Sequence, residues 1–292
     1  MIDRRRHPPG LVFTTWRARD DWGLRAYDWP APASRGRLLF LGGRGDFAEK
    51  YLEAMAHWRG RGWSITGFDW RGQGGSGRIG RNPLVNHLDS LDPLLDDLAE
   101  FVAARPASVA VAHSMGAHLL LRLIAEKRAR FDGAVLSSPM LGLRAGPLGT
   151  PAIAALAAAA SRAGRGEWRV WDGDAGNVGG RMTSCPERQA DKIWWKTNYP
   201  QIASGAPSWG WTRAACASIA KLRPAALAAA DTRVLLLVSR RDPIVSPRAV
   251  ARTARILPLG QLELLPGRGH ELLREADSIR HCVLARIDEF LG

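Results

Sequence analysis

Short apolar runs and helix-spaced runs alternate along most of this chain. "LVFTTWRAR" and "LRAYDWPA" lie on either side of "DDWG", a pattern that predicts two strands joined as a hairpin. "RLLFLGG" reads as a short apolar strand ending in glycines, and "AEKYLEAMAHWRGRG" has helical spacing that stops at glycine. "WSITGFDW" is a further strand, followed by the Gly-rich "RGQGGSG". A helix is predicted from near Asp92–Pro93 through "LDPLLDDLAEFVAAR", then a buried strand "SVAVAHS", a helix "MGAHLLLRLIAEKRA" and a strand "GAVLSSPM". Strands alternating with helices predict a mostly parallel central sheet with helices on both faces, an α/β protein.

The rhythm breaks from about Leu141 to Ala230. That stretch has an Ala-rich helix, the Gly-rich run "DGDAGNVGG" and six of the chain's twelve tryptophans. Alternation resumes with the strand "TRVLLLVSRRD", the helix "SPRAVARTARIL", the strand "GQLELLPGRGH" and a last helix "ELLREADSIRHCVLARIDEFL". One α/β unit therefore carries an insertion: residues 1–140 and 231–292 form the core, and 141–230 an inserted helical cap.

Composition changes this picture only at the margins. An apolar fraction of 46% is enough for a sizeable core. Three cysteines with no close pair predict a reduced compartment and no metal site. The net charge of +13 comes mostly from arginine spread along the chain. Without a compact basic patch it does not predict nucleic-acid binding, and it leaves an anionic membrane surface as a second partner. The start, "MIDRRRHPPGLVFTTW", is broken by Pro8, Pro9 and Gly10 and does not read as a secretory signal. "TPAIAALAAAA" falls short of the roughly 20 residues that span a bilayer. The expected location is cytoplasmic, with peripheral contact at the inner face of the membrane as the further expectation.

The chemistry concentrates where predicted strands end. Ser114 stands between a strand and a helix in "AHSMG", a G-x-S-x-G pattern with Ala112 at its first glycine. Alone, a helix-capping serine would satisfy this pattern. Asp242 and His270 also follow strands, and in a parallel sheet all such ends lie on one edge, where ligands bind. The chain order Ser114, Asp242, His270 is that of a nucleophile, an acid and a base. The backbone N–H of Met115, at a helix N-terminus, and that of Arg44, in "LGGRGDF", are the candidate oxyanion donors. Asp46 is expected to line the pocket, with Trp194, Trp195, Trp209 and Trp211 as substrate contacts; a small satellite core within the cap is the alternative for those rings. His113, His118 and Asp69 read as packing or turn-fixing residues. No cofactor or metal is called for.

At these residues the chain resembles α/β-hydrolases of the lysophospholipase and monoacylglycerol-lipase-like group, which includes serine aminopeptidases. The resemblance is carried by "GGRGDFAEKY", "FDWRGQGGSG", "AHSMGAH", "SSPMLGL", "GAPSWGWTRAA", "VSRRDPIVS" and "GRGHELLRE", and runs from about Leu38 onward. It implies an α/β-hydrolase fold with a cap formed by the insertion, a nucleophile at Ser114, an acid at Asp242 and a base at His270. Two positions depart from the pattern: Gly42 replaces the histidine of the His-Gly oxyanion motif, and Ala112 the first elbow glycine. The expected activity is hydrolysis of carboxylic esters of lipid-like substrates, lysophospholipid or monoacylglycerol, through an acyl-enzyme. From Met140 to Ala230, 11 Lys/Arg against 5 Asp/Glu suit a phosphate or carboxylate better than a free ammonium. An aminopeptidase or amidase, or a non-catalytic binding protein on the same fold, are the alternatives.

Overall fold

The computed structural model describes residues 2–172, 182–267 and 269–292. Apart from its first residue, the run "DGDAGNVGG" lies outside them.

β1 (Val12–Arg17) and β2 (Gly23–Trp29) form the expected antiparallel hairpin, in register from Val12 opposite Asp28 to Arg17 opposite Gly23. β3 (Gly36–Leu41), β4 (Trp63–Phe68), β5 (Val109–His113) and β6 (Gly133–Ser137) follow. A two-stranded ribbon, β7 (Arg144–Ala145) and β8 (Leu148–Gly149), opens the insertion, and β9 (Arg233–Ser239) and β10 (Gly260–Leu265) close the series. Among the described residues the main sheet has the order β1-β2-β4-β3-β5-β6-β9-β10. β2 pairs antiparallel with β4, and from β4 to β10 every pairing is parallel.

The central strands are apolar on both sides because both faces are covered. Along β5, Ala110 and Ala112 enter one core cluster while Val109 and Val111 enter the other, as the alternation of a strand requires. The first face is covered by α2 (Asp92–Ala104), α3 (Ser114–Ala125) and, beyond β9, α8 (Pro247–Ile256). α1 (Leu52–Gly60) and α9 (Asp277–Leu291) cover the second. The chain runs from β3 outward to β4 and then back across to β5. Such a reversal puts the ends of β3 and β5 at the switch point where sheets of this kind bind ligands.

Between β6 and β9 lie α4 (Thr150–Ala160), α5 (Pro186–Asn198), α6 (Trp209–Lys221) and α7 (Pro224–Ala228). α6 buries Trp211, Ala214 and Ala215 in the same cluster as α2 and α3. α5 is joined to α1 by Arg188, whose guanidinium donates to both Glu53 carboxylate oxygens at 2.7 Å. The last helix begins at Asp277, six residues later than the sequence pattern predicts. The reason lies in Glu271 and Glu275, whose carboxylates are drawn to Lys50 and to Ser184 instead of to a helix surface.

Candidate active site

Each strand end supplies one part. β5 turns into α3 at Ser114, whose φ of 49° is left-handed, a conformation costing a non-glycine residue about 1–3 kcal/mol. The turn is tight: a Cβ on Gly116 would stand 2.3 Å from the Gly42 carbonyl oxygen. Only glycine allows the helix to approach the loop after β3 that closely.

The structure brings Ser114, His270 and Asp242 together. Ser114 Oγ lies 2.9 Å from His270 Nε2, and His270 Nδ1 lies 2.8 Å from Asp242 Oδ2. Asp242 Oδ1 accepts from the backbone N–H groups of Ile244 (2.8 Å) and Val245 (2.9 Å), which fixes the carboxylate plane. With Nδ1–H donated to Asp242, Nε2 carries the lone pair that accepts from the serine hydroxyl. All three side chains are buried, Ser114 the least so at 9% exposure. The insertion pins this arrangement: the N–H groups of His270 and Glu271 both donate to the Met182 carbonyl at 3.0 and 2.7 Å, and Arg144 donates to the Asp242 carbonyl at 3.1 Å.

The loop after β3 carries Arg44, and its neighbour Gly43 lies beside the serine. Gly43 packs so closely that an added Cβ would sit 3.0 Å from Ser114 Cβ. Its N–H donates to Asp46 Oδ2 at 2.6 Å, and its carbonyl accepts from Gln73 Nε2 at 2.7 Å. Met115 stands in the first turn of α3, at the helix N-terminus next to Ser114.

Asp46 requires a correction. Its carboxylate is buried and faces the protein, accepting from Gly43 N–H, from the Tyr51 hydroxyl at 2.8 Å and from Lys50. Buried to 4% exposure, it braces the loop through these bonds instead of presenting a free carboxylate. Burial works to raise its pKa, but Lys50 outweighs that and holds it at about 2. Lys50 reaches on to Glu271 Oε1 at 2.6 Å. Glu271 is likewise held well below the ordinary carboxylate range, as Lys50 and Arg274 overcome its burial. Lys50, Gln73 and Glu271 escaped sequence reasoning, because the contacts joining Lys50 to Glu271 and Gln73 to Gly43 and Gly45 are remote in the chain. The available hint was a lone Gln inside an otherwise small-residue turn.

A model of the serine aminopeptidase S33 family matches residues 32–277. The chain belongs to that family. The lysophospholipase L2 of Escherichia coli K12 is 28% identical over 314 residues, covering 97% of this chain and 90% of that protein. A probable lysophospholipase L2 of Haemophilus influenzae is 28% identical over 274 residues, covering 90% of this chain and 86% of the relative. In fold the chain is similar to a monoglyceride lipase from Saccharomyces cerevisiae, with a TM-score of 0.78, 20% identity and coverage of 99% and 98%. It is also similar to the monoacylglycerol lipase of Paleococcus ferrophilus, with a TM-score of 0.72, 20% identity and coverage of 92% and 98%. The resemblance read from the sequence and the α/β-hydrolase fold with its cap both hold.

In this S33 member the four tryptophans divide. Trp211 lies beside the loop after β3, its ring 5.6 Å from the Arg44 guanidinium, which also donates to Asn86 Oδ1 and to the Gly205 carbonyl. Trp195 is 1% exposed, stacks on His7 and donates Nε1–H to the Arg4 carbonyl at 2.8 Å. Protein covers the Trp195 ring, which corrects its expected role as a substrate contact. Trp194 packs edge-on against Trp195, and Trp209 begins α6, its N–H donating to the Trp168 carbonyl. His113 lies with its ring 4.9 Å from that of His270; burial and this neighbour push its pKa down to about 4. His118 is bonded to Ser218 Oγ at 2.7 Å, and burial pushes its pKa to about 3. Asp69 fixes the turn after β4, accepting from the N–H groups of Ala48 and Gly75. Among the described residues no group of three His, Cys, Asp or Glu side chains could hold a metal ion.

Proposed function

We propose that this protein is a serine hydrolase that cleaves carboxylic esters of lipid-like substrates, lysophospholipid or monoacylglycerol, through an acyl-enzyme. The observation that carries the reading is the hydrogen-bonded chain from Ser114 Oγ through His270 to Asp242. A serine hydroxyl is a weak nucleophile near neutral pH and needs a base within hydrogen-bond reach. His270 Nε2 takes the proton as Ser114 attacks the ester carbonyl, and Asp242 stabilises the imidazolium and holds its tautomer. The N–H groups of Met115 and Arg44 receive the negative charge that develops on the carbonyl oxygen. His270 then returns its proton to the departing alcohol, and water deacylates the serine with the same base.

Ester chemistry on lipids is supported by the names of the relatives and structural neighbours, lysophospholipase and monoglyceride lipase. The family description favours a second reading, release of N-terminal residues. A free ammonium would need an unengaged acidic side chain near Ser114, and Asp46, the acid of the oxyanion loop, is already bound to Lys50, Tyr51 and Gly43. The ester reading is therefore preferred. Contact with an anionic membrane surface rests on the basic charge and on the exposed Leu148, Leu156 and Trp168 of the insertion. No helix among the described residues is long and apolar enough to cross a membrane.

The test is hydrolysis of p-nitrophenyl butyrate by the wild type and by Ser114→Ala. A loss on the order of 10⁴-fold or more is expected, and equal rates would remove Ser114 from the mechanism. Lysophosphatidylcholine, monoacylglycerol and an aminoacyl amide assayed in parallel then separate the two substrate classes.

A further inference from the structure

The Gly-rich turn after β4 carries no reacting group. It is built around one side chain. Gln73 stands between Gly72 and Gly74, both in the left-handed region at φ 80° and 53°. The turn is closed by Gln73 N–H donating to the Trp70 carbonyl and Ser76 N–H donating to the Gln73 carbonyl. A Cβ at Gly74 would meet Asp69 Oδ2 at 2.3 Å, so this backbone path suits glycine. Its result is to bury Gln73, 4% exposed, beneath the loop that follows β3.

Both ends of the Gln73 amide grip that loop. Nε2 donates to the Gly43 carbonyl at 2.7 Å, and Oε1 accepts from Gly45 N–H at 3.0 Å. The peptide between Gly43 and Arg44 is trans. In a trans peptide the C=O and N–H vectors point in opposite directions. A donor that fixes the Gly43 carbonyl on one side therefore fixes the Arg44 N–H on the other. On the preceding peptide, Gly43 N–H is held by Asp46 Oδ2 at 2.6 Å. Two side chains, from different loops, thus set the planes of consecutive peptides next to Ser114.

We propose that Gln73 is a positioning residue for the oxyanion site: by clasping the Gly43 carbonyl and the Gly45 N–H, it aims the Arg44 N–H at the charge that forms during acyl transfer. Gln73 touches no reacting atom and acts through the loop. The inference rests on the reading of Ser114 as nucleophile with the Arg44 and Met115 amides as donors. It places the precision of this loop in a residue from the turn after β4, where preorganisation of a donor matters more than its mere presence.

The test compares an ester with its thionoester, in which sulfur replaces the carbonyl oxygen. A backbone N–H aimed at a small, hard oxyanion serves the larger, softer sulfur poorly. An enzyme with a well-aimed donor therefore prefers the ester strongly, and one with a misdirected donor loses that preference. Gln73→Met keeps the length of the side chain and removes both hydrogen bonds. Gln73→Glu keeps an acceptor for Gly45 and sets a second acceptor against the Gly43 carbonyl; it serves if the methionine variant does not fold. The expected result for either is a fall in kcat for the ester on the order of 10²-fold, a KM within a few-fold of wild type, and an ester-to-thionoester rate ratio that collapses toward one. His270→Gln is the control, since it slows both substrates and preserves the ratio. A folded Gln73 variant with an unchanged ratio, whether or not its rate falls, would overturn the proposal and leave Gln73 a structural residue. Absence of ester hydrolysis by the wild type would instead overturn the underlying reading.

Discussion

Ser114 holds a backbone conformation that most residues avoid, and the groups packed around it leave it no alternative. Gly116 is the tightest of them. Gly116→Ala would set a methyl group against the Gly42 carbonyl, so helix and loop must separate. We expect a loss of about 1–3 kcal/mol, as for other overpacked sites, measured by urea denaturation, together with reduced esterase activity because Gly42 leads into the loop that carries the proposed Arg44 donor. Asp242→Asn tests orientation instead of packing. The amide can still accept from Ile244 and Val245, but would offer its own N–H groups to His270 and favour the wrong tautomer. A fall in kcat of about 10⁴-fold at neutral pH is expected, as in serine proteases, with little change in melting temperature. Residues of this kind are legible in a sequence when they follow a recognisable strand, which is why Ser114, Asp242 and His270 could be named. Lys50, which bridges Asp46 and Glu271, could not. Its meaning depends on a partner 221 positions away, and a lone lysine in a helical run carries no mark of that.

At the scale of elements, α3 meets α6 through a buried polar seam. His118 and Arg122 on α3 both reach Ser218 Oγ on α6, at 2.7 and 3.0 Å. His118 must stay neutral there, with its pKa pushed down to about 3 from an ordinary 6.5, and His113 is held at about 4. Between those values and 6.5 the unfolded chain binds more protons than the folded one, so stability rises with pH. The stability due to this neutrality is complete above about 6.5 and is lost as pH falls toward 4 and then 3. Each histidine contributes a slope of up to about 1.4 kcal/mol per pH unit. Urea denaturation of wild type and His118→Gln between pH 7 and 4.5 should show a shallower acid loss in the variant. Periodicity found most of these elements but misplaced boundaries, most of all the start of α9. Residues 271–276 have helical composition, yet Glu271 and Glu275 are turned toward Lys50 and Ser184. Tertiary contacts override local propensity there.

Over the whole molecule, the insertion is tied to the core at several remote points, Glu53 among them. Glu53 accepts two hydrogen bonds from the buried Arg188 of α5 and lies 3.5 Å from Arg280. Glu53→Ala would leave Arg188 with Asp277, the Cys185 sulfur and the Glu275 carbonyl. We expect a cost of about 2–3 kcal/mol and faster amide exchange in α5 than in the sheet, read by hydrogen–deuterium exchange. The general architecture was legible because a parallel sheet covered on both faces needs near-continuous apolar strands, and "SVAVAHS" and "RVLLLVS" supply them. The depth of α6 was not, since its alanines and Trp211 read as well for a separate small core as for the main one. The position of α6 has a practical consequence for protein engineering. β6 and β9 are parallel neighbours, so the polypeptide must travel from the finish of one back to the outset of the other, and α6 with α7 makes that return. A shortened version that spliced Met140 directly to Asp231 would lack the dozen or so residues such a return needs. A lidless variant can be made only if a return helix is retained, and exchanging lids between relatives calls for junctions upstream of Trp209.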